Sequence, residues 1–99
     1  MGFARLKLSA FASGIVVPLE AVPDPVFAGR MLGDGLAIDP GAGVLHAPCD
    51  GVVAQLHRSH HACVLESADG VRMLLHIGID TVLLKGEGFT PRVAEGEAV

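Results

Sequence analysis

Five histidines in 99 residues (His46, His57, His60, His61 and His76) are the side chains with the most chemistry to offer. His76 stands out because it interrupts an apolar run, MLLHIGIDTVLLKGEGF, with Gly78 and Asp80 following within four residues. An unperturbed imidazole titrates near pH ~6.5, so it can act as acid, base, nucleophile or metal ligand near neutrality. His60 and His61 are adjacent, and on a strand they point to opposite faces. The segments His61–Glu66 and Val71–Ile77 read as two arms of a hairpin about the turn SADG, since an Asp-Gly pair between apolar runs is a hairpin signal. A turn centred between Ala68 and Asp69 pairs His61 with His76. Directly opposed side chains have Cβ atoms ~4.5–5.5 Å apart, close enough for both rings to reach one third atom.

Two adjacent imidazoles suit several chemistries. They are two ligands toward a zinc site, which needs three or four, and Cys49, Cys63 and Asp80 are the candidates for the remainder. They are also an acid–base pair. Or one is a nucleophile for a phosphoryl group while the other donates to its oxygens, with the Gly78–Ile79–Asp80 turn offering backbone N–H groups to the anion. Two ordinary polar side chains at a strand end remain a fourth reading, and spacing alone leaves all four open.

The elements that must hold these groups are short. Thirteen glycines and six prolines punctuate the chain and leave room for strands of four to eight residues but for no long helix. The pattern predicts strands over Arg5–Phe11, Gly14–Pro18, Leu36–Ile38, Val44–Ala47, Gly51–Leu56, His61–Glu66, Val71–Ile77, Val82–Leu84 and Phe89–Val93, and one helical turn between Pro25 and Leu32. In VRMLLHI, Val71, Met73, Leu75 and Ile77 face one way and Arg72, Leu74 and His76 the other. The segment EGEAV resembles the opening of a further strand. Many short strands between glycine turns make an all-β antiparallel sandwich or barrel-like domain, expected as a single domain over 1–99 with its C-terminal strands missing.

Bulk properties narrow the function. The composition is 51% hydrophobic, without Trp or Tyr, so the core is aliphatic and disorder is excluded. A net charge of -4 and no basic cluster exclude a surface that tracks nucleic-acid phosphates. No stretch approaches the ~20 apolar residues of a membrane span. No signal-peptide pattern opens the sequence, so a cytoplasmic chain with free Cys49 and Cys63 thiols, buried and inert, is the expectation. No nucleotide-cradling glycine loop and no GxSxG elbow occur.

The segments VPDPVFAGRMLGDGLAIDP, APCDG, SHHACVLES and LLHIGIDTVLLKGEGF closely resemble the glucose-type enzyme IIA domain of the bacterial phosphoenolpyruvate-dependent sugar phosphotransferase system. The resemblance runs from about residue 10 to residue 95. It implies a β-sandwich in which His76 accepts a phosphoryl group from the histidine phosphocarrier protein and passes it to a cysteine of a IIB domain in sugar uptake. It implies that His61 supports the phosphoryl oxygens, that Ser59 hydrogen-bonds His61, and that Asp80 orients partner groups. The partners it implies are that phosphocarrier, the IIB domain of a sugar permease and regulatory target proteins. No cofactor is required, although some members bind zinc through the two histidines, here His61 and His76, with a partner's carboxylate. A zinc- or ligand-binding regulatory module using the same pair is the alternative reading, and a purely structural β-domain a third. Phe27, Met31 and Leu32 read either as core or as part of a docking face. His60 reads as a surface group, and His46 and His57 receive no role.

Overall fold

A computed structural model describes residues 7–78, 85 and 87–99. These described residues fall into two compact units, those within 10–46 and those within 1–9 and 47–99. The strands predicted over Gly14–Pro18 and Gly51–Leu56 form with those limits, and among the described residues the other elements form nearby or not at all.

In the 10–46 unit, β1 (Gly14–Pro18) pairs antiparallel with β2 (Leu36–Pro40), in the register Gly14↔Pro40 to Pro18↔Leu36. A 3₁₀ turn, Leu19–Ala21, and a four-residue helix, α1 (Pro25–Ala28), occupy the connection. The helix starts where the sequence supplies both entry signals: Asp24 accepts a hydrogen bond from the Val26 N–H at 2.9 Å, and Pro25 follows the cap. It stops at Gly29, after which Arg30 takes a left-handed φ of 55°. The Arg30 guanidinium donates to Glu20 and, at 2.8 Å, to Asp34, tying both ends of the connection. Those bonds hold the Glu20 and Asp34 carboxyls below the usual carboxylate range. Met31 and Leu32 are exposed and Phe27 half-buried, so the first two are not core residues.

In the other unit, β3 (Gly51–Leu56), β4 (Ala62–Ser67) and β5 (Arg72–His76) form an antiparallel sheet in that order. The C-terminal residues add to the free edge of β3: Val53 N–H donates to Glu97 C=O at 2.9 Å and Val99 N–H to Gly51 C=O at 2.9 Å. The segment EGEAV, expected to open a further strand, makes an isolated bridge between Val52 and Ala98 rather than a strand. Opposed residues share a face, so one face carries Val53, Leu65 and Met73, then Leu56, Cys63 and Leu75. Val53 and Leu65 are buried there, each stabilising the fold by about 2 kcal/mol as an upper figure. The opposite face carries Gln55, Val64 and Leu74, then Ala62 and His76.

Two expectations need correction. Among the described residues neither sheet closes on itself, so no barrel forms; sheets of two and three strands cannot encircle a core. Val44–Ala47 and Phe89–Val93 are not strands, since an extended segment becomes one only where a neighbour completes its ladder. The former makes one such bond, from His46 N–H to Phe11 C=O at 2.7 Å. The predicted strand Val82–Leu84 lies outside the described residues, as does part of Arg5–Phe11, whose described part is not a strand.

Candidate functional site

The β4–β5 hairpin turns on three residues, Ala68, Asp69 and Gly70. Ser67 N–H donates to Val71 C=O at 2.9 Å and Gly70 N–H to Ser67 C=O at 3.0 Å. Gly70 has a φ of 80°, the left-handed conformation that this three-residue loop demands of its last member. The buried Ser67 accepts the Val71 N–H on its hydroxyl oxygen at 3.1 Å and locks the turn. The extra loop residue shifts the register by one. Ala62, not His61, lies directly opposite His76, while Ile77 N–H donates to His61 C=O at 2.8 Å.

The two imidazoles meet all the same. The His61 and His76 ring centroids are 5.0 Å apart in an edge-to-face arrangement with an interplanar angle of 85°. Strict alternation would put the rings on opposite faces, but both residues stand where extended geometry ends. His60 has a left-handed φ of 58°, and Gly78 a φ of 72°. Ala62, opposite His76, contributes only a methyl group, which leaves room for a neighbouring ring.

A third imidazole joins them. The ring centroids of His57 and His61 are 4.4 Å apart, with an interplanar angle of 70°. His57 closes the β3–β4 turn: its N–H donates to Ala62 C=O at 2.9 Å and its C=O accepts from His60 N–H at 2.8 Å. Its Nδ1 accepts the Ser59 N–H at 3.0 Å. Sequence reasoning gave His57 no part. Its position depends on a register shift between Val53 and Gln55 in β3, which no local pattern announces. The available signal was the spacing in HRSHH, with histidines on both sides of a short turn.

Each ring has a distinct environment. The His76 Nδ1 lies 2.9 Å from the Gly78 carbonyl oxygen. A carbonyl only accepts, so Nδ1 carries the proton and, in the neutral ring, Nε2 carries the lone pair. That pair is what a nucleophile needs. His61 is buried, and burial lowers its pKa, helped by the nearby His57 and His76 rings. It is therefore neutral near pH ~7, with one N–H to donate. Its buried Nδ1 has no partner among the described residues, a costly state that an added polar group can relieve.

Ser59 engages His57 through its backbone N–H, while the expected bond from Ser59 to His61 is not made to His61 Nδ1. Asp80 lies outside the described residues. An open groove of about 520 Å³ is lined by His57, Ala62, Val64, Leu74 and Glu95 among others. Glu95 fixes one wall by accepting the Leu56 N–H at 3.2 Å. Cys63 also borders the groove; both cysteines are free and half-buried rather than fully buried, and burial raises the Cys63 thiol pKa.

For zinc, the His61–His76 pair supplies two of the three or four ligands that a site needs. Among the described residues no group of three or more His, Cys, Asp or Glu side chains is gathered to hold an ion. The described donors therefore do not make a complete zinc site. No helix among the described residues is long and apolar enough to cross a membrane.

A buried neutral imidazole packed against a second one whose Nε2 lone pair is set by a backbone carbonyl suits group transfer through a ring nitrogen. The chain belongs to the EIIA 1 family of the phosphoenolpyruvate-dependent sugar phosphotransferase system, whose model matches residues 6–99. It is 51% identical over 87 residues to the PTS system glucose-specific EIIA component of Bacillus cereus, covering 88% of this chain and 53% of that one. The component of the same name in Haemophilus influenzae is 45% identical over 95 residues, 96% of this chain and 57% of the relative. The solved glucose permease IIA from Mycoplasma capricolum matches with a TM-score of 0.92 and 42% identity, over 100% of this chain and 66% of that one. The chain thus spans a little over half the length of these curated relatives. The resemblance read from the sequence segments is borne out.

Proposed function

We propose that this chain is a phosphoryl relay: His76 accepts a phosphoryl group from the histidine phosphocarrier protein and gives it to a cysteine of a sugar-specific IIB domain. The observation that carries the reading is the 2.9 Å contact of His76 Nδ1 with the Gly78 carbonyl, which directs the lone pair to Nε2. In the first step a P–N bond forms at Nε2 as the donor's P–N bond breaks, and the donor ring keeps the electron pair. In the second step a thiolate forms the S–P bond, and the pair returns to His76 Nε2.

Phosphorylation brings a charge of about -1.5 to -2 to the ring. His61, neutral and pressed against His76, is the group that offsets it by donating its N–H to a phosphoryl oxygen. Ser59 contributes through the turn it closes with His57. Asp80 is assigned the orientation of partner groups on the family resemblance alone. Ala62, Val64 and the exposed Leu74 offer donor and acceptor proteins in turn an apolar contact beside the rings. Residues 1–99 are read as one carrier domain of β-sandwich type, supported by the family match over 6–99 and the likeness to the Mycoplasma capricolum structure. The relatives' names carry glucose, and we extend that sugar to the system this chain serves.

The test mixes the chain with phosphoenolpyruvate, the first enzyme of the system and its phosphocarrier, and follows the intact mass. The expected result is one added phosphoryl group, labile to acid, in the wild type and none in His76→Gln. A folded wild type that gains nothing, or a His76→Gln variant that is still labelled, overturns the reading.

A further inference from the structure

His57 lies outside the acceptor pair yet touches it. Its ring packs edge-on against His61 at 4.4 Å, and His61 packs edge-on against His76 at 5.0 Å, so His61 is held between two rings. His61 is buried and its Nδ1 makes no hydrogen bond among the described residues, so that nitrogen does not anchor the ring. What fixes the orientation of such a ring is packing against its neighbours. His57 is itself well anchored. Its backbone N–H and C=O both bond within the turn, and its Nδ1 accepts the Ser59 N–H at 3.0 Å, which sets the rotation of the ring.

We propose that His57 is a positioning residue for the phosphoryl transfer, its ring serving as the fixed wall that holds His61 edge-on to His76. Resting on the relay reading, it adds a residue to that site. His57 acts through His61, and no contact between His57 and the transferred group is required. Loss of the wall lets the His61 ring turn, and a donor misplaced by a fraction of an ångström stabilises the developing charge less.

The experiment compares His57→Ala, His57→Phe and His57→Asn in the full chain. Alanine removes the wall, phenylalanine restores a ring without the Nδ1 acceptor, and asparagine restores an acceptor without the ring. The rate of phosphoryl acceptance is expected to fall about tenfold in His57→Ala and His57→Asn and to return to within about threefold of wild type in His57→Phe. Nuclear Overhauser contacts between the His61 and His76 ring protons are read in parallel on the unphosphorylated proteins. They are expected in the wild type and His57→Phe and are expected to weaken in His57→Ala. Unchanged acceptance and unchanged contacts in His57→Ala overturn the proposal, as does rescue by asparagine but not by phenylalanine. A wild type that takes no phosphoryl group overturns the relay, and the ring contacts then decide the positioning claim by themselves.

Discussion

The two compact units hold their shapes by different means. In the 10–46 unit the connection between β1 and β2 is fixed by local devices: the Asp24 cap, Pro25, and an exposed Arg30 shared by Glu20 and Asp34. In the unit that carries His57, His61 and His76, strand register does the work. Three strands, a three-residue turn and the buried pair of Val53 and Leu65 determine where each imidazole stands. The difference teaches where each region is vulnerable. Exposed ion pairs are screened and individually weak, whereas a change in register or packing moves the imidazoles.

The largest expected effect lies at the acceptor. His76→Gln abolishes phosphoryl acceptance altogether in the intact-mass assay, since glutamine has no ring nitrogen to bond phosphorus. Next comes His61→Gln, expected to slow acceptance by about a hundredfold while the fold is retained, as measured by single-turnover transfer. Leu65→Ala in the core of the sheet costs about 2–4 kcal/mol in a urea titration, and in so small a domain that is a large part of the total. No comparable loss is expected from Arg30→Ala in the other unit, where the change in melting temperature is small and shrinks further as salt is raised. If Arg30→Ala instead destabilises the chain as much as Leu65→Ala, the contrast between the units is wrong.

The smallest effect is a pH dependence. His61 is lowered from its ordinary value of 6.5 in the folded protein, first by burial and then by the charges of His57 and His76. The unfolded chain then binds the proton more readily, so stability rises with pH across this window. The contribution is complete above pH 6.5 and is lost as pH falls from there toward the depressed folded value. Denaturant midpoints measured below that pH should therefore drop in the wild type and drop less in His61→Gln.

Much of this site is legible in the sequence, and the failures have physical causes. The meeting of His61 with His76 follows from the hairpin signal in SADG, although the register deduced from a two-residue turn is off by one. Gly70 enters the loop as a third residue, and its left-handed φ of 80° is a conformation that the sequence permits without requiring. The pairing survives because Ala62 is small and both histidines stand where the strands end. His57 is hidden by a bulge in β3, whose effect on register is not local. The limits of β1 and β3 are readable because glycine or proline bounds them, whereas Val44–Ala47 has the composition of a strand and lacks a partner ladder.

The measurement that tests the central claim most directly is the identity of the nitrogen that carries phosphorus. Nitrogen and phosphorus NMR of the chain phosphorylated by its carrier distinguishes the two ring positions of His76. The Gly78 carbonyl, 2.9 Å from Nδ1, predicts a phosphoryl group on Nε2, with Nδ1 still protonated. A phosphoryl group on Nδ1, or on any residue other than His76, contradicts the account.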